Sequence, residues 1–254
     1  YYSLANTYYE QGDIASAERY YRKAIEPNPK DAGAWVNLGL QVYETRGDFA
    51  QAETCYRRAI QLRPTYANAY YNLARLVAMK GERDEARRLY LEAVRLDPLM
   101  ARAYVNLGYM ALDERDYAEA SRYYGRALQI EPENVKALIG LAIASSELGK
   151  PSEAIAHLSK ARDIDPSEPD IYFNLAIVYA KMSRHLEAAR AARKVIELNP
   201  DDNQAYLIYA RNMKLAGREE EARRFLITMA EQHPDLKGPG VALIELSKTK
   251  VMPQ

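Results

Sequence analysis

Apolar residues recur three and four positions apart along almost the whole chain, the spacing that gathers them on one face of an α-helix. Ala69 to Lys80 reads as one such helix and Asp84 to Leu96 as a second, with Gly81 between them and Asp97 and Pro98 after them. Gly12, Gly47, Gly149 and Gly217 mark the same point in other copies of the pattern. The backbone turns left-handed there after a helix, a conformation that glycine adopts at no steric cost. Proline closes the second helix of each copy, because it cannot continue a helix interior. No segment alternates apolar and polar residues for long enough to predict a strand.

The copies keep a strict beat. Pro64, Pro98, Pro132, Pro166, Pro200 and Pro234 each follow the last by 34 residues, while Pro29 precedes Pro64 by 35. Alanines twelve residues upstream (Ala17, Ala52, Ala86, Ala120, Ala154, Ala188 and Ala222) hold the same register. A period of this size marks a stack of helical hairpins, each burying its apolar face on its neighbours. The extra residue before Pro64 falls between Leu40 and Gly47, where a lengthened turn or local bulge is expected.

With the proline of each unit called position 32, position 8 holds Ala5, Gly39, Ala74, Gly108, Ala142, Ala176 and Ala210, and position 20 is always alanine. Small residues at these two places let the paired helices approach, and Leu38, Leu73, Leu107, Tyr56, Tyr90 and Tyr124 fill the space between them. The order Trp35, Leu38, Gly39, Ala52, Tyr56, Ala59, Pro64 resembles the tetratricopeptide repeat signature. The resemblance covers nearly the whole chain. It implies an all-α, right-handed α-α superhelix of seven hairpins over residues 1–236, the first N-terminally incomplete, with a capping helix and tail over 237–254. The cap is expected from Val241 to Lys250, with Ile244 too large to admit a close second helix and the tail Val251 to Gln254 loose. Ala192 at position 24, and Val195 and Met229 at position 27, predict altered packing in the last units.

Lysine plus arginine equals aspartate plus glutamate at 35 each, which gives no global field for nucleic acid. Arg57, Arg58, Arg87, Arg88, Arg223 and Arg224 recur along the second helices, but Glu18, Glu53, Asp84 and Glu220 stand four residues before Arg22, Arg57, Arg88 and Arg224. That is the spacing of exposed helix ion pairs. His157, His185 and His233 lie in different units without ligating company, and Cys55 reads as a buried small hydrophobe. No phosphate loop or nucleophile elbow is present. The chain is read as a non-enzyme without cofactor or metal, with no membrane span. Numbering opens on Tyr1, leaving room for a segment ahead of it; the cytoplasm is the default compartment, with a periplasmic or membrane-associated complex open. Homo-oligomerisation also stays open.

The resemblance places the first helix of each unit on an inner, concave wall, with positions 2, 5, 6, 9 and 12 projecting from it. Position 6 is asparagine at Asn37, Asn72, Asn106 and Asn174, a ladder of amides able to donate to and accept from an extended chain. An alternative is that these amides satisfy neighbouring backbone. Positions 5 and 9 are mostly apolar, and Tyr71, Tyr109, Ile139, Ile143, Phe173 and Ile177 are expected to form one continuous strip, with Arg102 and Lys136 at its rim. Such a strip marks an interaction site unless packing between units covers it. Tyr2, Asn68 and Asn72 stand where chaperone-tail-binding relatives carry cations, so capture of an acidic chaperone tail is not expected. The predicted function is a scaffold or adaptor that holds a peptide or helical segment of a partner protein. The alternative is the substrate-recruiting arm of a larger enzyme, such as a glycosyltransferase. Pilus-assembly and secretion lipoproteins of this repeat type are a further resemblance that no motif singles out.

Overall fold

A computed structural model of the chain describes residues 1–247, and among them there are fifteen α-helices and no strand. The first hairpin pairs α1 (Tyr2–Glu10) with α2 (Ile14–Ile25). Next come α3 (Ala32–Asn37), a π-helical segment (Leu38–Glu44) and α4 (Phe49–Leu62). Then follow α5 (Ala67–Met79), α6 (Arg83–Leu96), α7 (Ala101–Asp113), α8 (Tyr117–Ile130), α9 (Val135–Glu147) and α10 (Pro151–Ile164). The last are α11 (Pro169–Lys181), α12 (His185–Leu198), α13 (Asn203–Leu215), α14 (Glu219–Gln232) and α15 (Gly238–Ser247). The chain divides into two compact units, Tyr1–Glu114 and the remainder from Arg115.

Every alanine of position 20 is fully buried. At position 8, a β-carbon added to Gly39 would lie 2.8 Å from the Tyr56 ring, well inside van der Waals contact of about 3.5–4.0 Å. Only a small residue permits that approach. Helix starts are set by acidic caps: Asp13, Asp48 and Asp116 each accept a backbone N–H three residues on, at 2.9–3.1 Å.

The residue inserted before Pro64 is absorbed inside the first helix of its unit. One widened turn carries it as the π-helix Leu38–Glu44, and Gly47 still takes the left-handed turn at φ +74°. Gly12, Gly81, Gly149 and Gly217 do likewise, and the two units without glycine there put Arg115 (φ 60°) and Ser183 (φ 57°) into the same conformation. The turn geometry of the repeat therefore overrides residue preference at those two sites, against a steric cost of roughly 1–2 kcal/mol each.

In the second unit α15 packs on α13 and α14. It begins at Gly238, three residues earlier than the sequence pattern suggests, and its first two residues, Gly238 and Pro239, are buried. A β-carbon on Gly238 would meet the Tyr206 ring at 2.3 Å. Arg211 reaches Glu245 at 2.8 Å, and Lys214 donates to the Leu246 carbonyl at 2.7 Å. Ile244 is exposed. The expected end of this helix at Lys250 and the tail Val251 to Gln254 lie outside the described residues.

Candidate interaction surface

In the first unit the side chains of position 5 and position 6 pair across hairpins, one pair at each of two places. Asn37 Nδ2 donates to the Tyr2 hydroxyl at 2.6 Å, and Asn106 Nδ2 donates to the Tyr71 hydroxyl at 3.4 Å, both across 35 residues of chain. The first pair belongs to a local network, in which Asn6 also bonds the Tyr2 phenol and accepts from the Tyr21 hydroxyl. Arg102 lies 4.3 Å over the Tyr71 ring and also donates to the Asn68 amide oxygen. Tyr109 is 43% exposed on the same helix as Asn106, one helical turn on.

A phenol at position 5 of the preceding unit decides the asparagine's fate. Asn72 follows Val36, which offers no hydroxyl, and it is only 5% exposed, so little of its amide remains available. Asn174 follows Ile139 and donates instead to the Asp170 carbonyl of its own helix at 2.8 Å. In the unit between Asn106 and Asn174 the place is taken by Gly140, where a β-carbon would sit 2.2 Å from the Tyr124 ring. The amide series is interrupted there because the close approach of α8 and α9 leaves no room for a side chain.

Arg75, which breaks the apolar run at position 9, is drawn to Glu44. Glu44 also accepts from the Tyr56 hydroxyl, and its side chain is 10% exposed. The π-helical turn carries Glu44 into this cluster, which no motif in the sequence signals. Burial pushes the Tyr56 phenol upward, with the adjoining Glu44 carboxylate adding to it.

In the second unit the wall is apolar. Ile139 and Ile143 share one face of α9, Phe173 and Ile177 the corresponding face of α11, and the two helices touch. All four side chains are half-buried, so packing covers part of the expected strip and leaves part open. Lys136 is exposed at the start of α9.

On the second helices Arg22 pairs with Glu18 at 3.0 Å, and Arg57 bridges Glu53 at 2.8 Å and Glu85 at 2.9 Å. The pairs expected between Asp84 and Arg88 and between Glu220 and Arg224 do not form among the described residues; Arg223 takes Glu219 at 3.0 Å. Cys55 is buried, and that burial pushes its thiol up to about 12. His185 Nδ1 lies 3.0 Å from the Asn212 amide oxygen, and burial holds the His157 imidazole below its usual value. No cluster that could hold a metal ion occurs among the described residues, and no described helix is long and apolar enough to cross a membrane.

Consecutive helical hairpins with a small-residue seam define the class of helical-repeat proteins. The family model for the cilia and flagella-associated protein 70 C-terminal domain, a tetratricopeptide repeat domain, matches residues 65–238, and the chain belongs to that family. Tetratricopeptide repeat models also match residues 41–81 and 2–45. Proteins of this repeat type mediate protein–protein interactions and are typically non-enzymatic. No curated protein matches the chain. Among solved structures, YrrB, a tetratricopeptide repeat protein with an unusual peptide-binding site, is 23% identical with a TM-score of 0.63, covering 73% of this chain and 95% of its own. The pilF protein of Pseudomonas aeruginosa is 22% identical with a TM-score of 0.68, covering 86% and 98%. PilW, a type IV pilus biogenesis factor, is 19% identical with a TM-score of 0.70, covering 84% and 98%. These likenesses support the fold.

Proposed function

We propose that the chain is a non-catalytic scaffold that holds a peptide or helical segment of a partner protein against the wall of its first helices. Seven repeats over residues 1–236 would supply those helices, each compact unit presenting its own stretch of wall, with α15 as the cap. The observation that carries the reading is the recurring Tyr–Asn pair. Tyr2 with Asn37, and Tyr71 with Asn106, set a phenol beside an amide, groups whose chemistry can donate to and accept from a peptide backbone. Arg102 steadies the second pair by stacking on Tyr71. In the second unit Ile139, Ile143, Phe173 and Ile177 would take apolar side chains of the partner, with Phe173 as the aromatic anchor and Lys136 at the rim, while Tyr109 would serve as the anchor of the first unit. Asn72 and Asn174 then serve the wall's own packing more than the partner. Similarity to a structure with a peptide-binding site agrees with this use of the fold.

The test is site-specific photo-crosslinking. A photoreactive amino acid replacing Ile177 should capture the partner from an extract, while one replacing Arg58 on a second helix should not. Capture at Arg58 alone would refute the proposal.

A further inference from the structure

Helix α12 breaks the packing rule of the other hairpins. Position 23 carries Tyr20, Cys55, Leu89, Tyr123, His157 and Phe225 elsewhere, but Ala191 here. Position 24 shrinks beside it, to Ala192. Ala192 is fully buried, and Ala191 with Leu175 of α11 lines a crevice of about 260 Å³ between α10 and α12. That is below the roughly 300–1,000 Å³ of small-molecule sites, and suits one large side chain.

The walls of the crevice are aromatic and its rim is cationic. Tyr172 is fixed by its hydroxyl, which donates to the Pro166 carbonyl at 2.9 Å. Arg184 lies 4.7 Å over the Tyr179 ring and is itself held by Glu187. Glu187, the one acidic group of the lining, is shared by Arg184 and Arg190, and Arg162 and Lys194 complete the rim. Arg162 meets Asp163 at 3.5 Å and Lys194 meets Glu197 at 3.3 Å, exposed pairs of the weak kind. Arg190 is exposed and lies close enough to the Glu187 carboxylate to help hold it ionised. Counting these pairs, Arg162, Arg184, Arg190 and Lys194 face Asp163, Glu187 and Glu197, which leaves the rim one positive charge in excess in a chain of zero net charge.

We propose that this crevice is a second docking site, for an acidic partner segment carrying one large aromatic or aliphatic side chain. The side chain fills the space over Leu175 that Ala191 leaves open, between Tyr172 and Tyr179. Carboxylates flanking it meet Arg162, Arg190 and Lys194, setting orientation and salt sensitivity. At 3.6 residues per turn, Tyr172, Leu175 and Tyr179 lie roughly 150° around α11 from Phe173 and Ile177. The site is therefore separate from the wall proposed above.

The probe is a fluorescein-labelled acidic peptide with a single central phenylalanine, titrated with the full chain at low salt and followed by anisotropy. Saturable binding is expected, weakened about tenfold or more when the phenylalanine is replaced by alanine, and likewise by Ala191→Leu or Arg190→Glu in the protein. The variant Phe173→Ser/Ile177→Ser should bind as the parent does. Arg190→Glu changes an exposed residue, so it tests the site even if Ala191→Leu perturbs the fold. Absence of saturable binding, equal binding of the alanine peptide, undiminished binding by Arg190→Glu, or loss in the Phe173/Ile177 variant would each overturn the proposal.

Discussion

The same substitution should act in opposite directions at two helical glycines of the second unit. Gly125 lies inside α8 and Gly140 inside α9. A β-carbon on Gly125 meets nothing within 4 Å, so Gly125→Ala should gain the helix preference of alanine, roughly 0.5–1 kcal/mol. At Gly140 the new carbon would stand 2.2 Å and 2.5 Å from carbons of the Tyr124 ring. Ordinary carbon contact is about 3.5–4.0 Å, so the ring or the helix must shift by more than about 1 Å. Overpacking of this kind costs roughly 1–3 kcal/mol, and a clash this deep belongs in the upper part of that range, so the net loss after the helix gain is about 1–2.5 kcal/mol. Thermal unfolding followed by far-ultraviolet circular dichroism measures both, at about 2–4 °C per kcal/mol for a chain of this size. Tyr124→Leu in the background should remove most of the penalty of Gly140→Ala. If Gly140→Ala raises the melting point as Gly125→Ala does, the Tyr124 ring is not seated on Gly140, and the explanation for the missing asparagine fails.

Arg115→Gly and Ser183→Gly should each stabilise the chain by about 1 kcal/mol, since both residues hold a left-handed backbone that glycine adopts freely; unchanged melting points would contradict this. Alkaline pH should destabilise the fold from about pH 9 upward. Burial pushes the Cys55 thiol from 9.0 to about 12 and the Tyr21 phenol from 10.0 to about 12, so across that window the unfolded chain releases protons the folded chain keeps. Melting points between pH 8 and 11 check the direction, and a rise instead of a fall would refute it.

The hairpins were legible in the sequence because each carries two fixed marks, the alanine of position 20 buried between the paired helices and the exposed proline of position 32 that ends the second helix. The inserted residue was located by the gap of 35 between Pro29 and Pro64. Its form as a π-helix was not, since a longer turn would satisfy the same count. Arg115 and Ser183 concealed two left-handed turns because neither residue prefers that backbone. The candidate wall was harder to read. Its partition depends on pairs such as Tyr71 with Asn106, which join different columns of successive repeats and escape a column-by-column reading. Val36 and Ile139 lack the hydroxyl, and that single difference redirects Asn72 and Asn174. The α12 crevice left a trace at Ala192, but its rim gathers Arg162 and Arg190 from helices separated in sequence by all of α11.

The central claim is that the partner segment captured through position 177 is held by the first helices and not by the arginine ridge of the second. Its most direct measurement is the affinity of the partner captured through position 177 for two double variants with intact helicity. Phe173→Ser/Ile177→Ser should lose binding by about 30-fold or more, as loss of an aromatic anchor worth roughly 2 kcal/mol or more implies. Arg57→Ala/Arg58→Ala should bind as the parent does. Loss of binding in the arginine pair, with binding retained in the Phe173/Ile177 pair, would contradict the account.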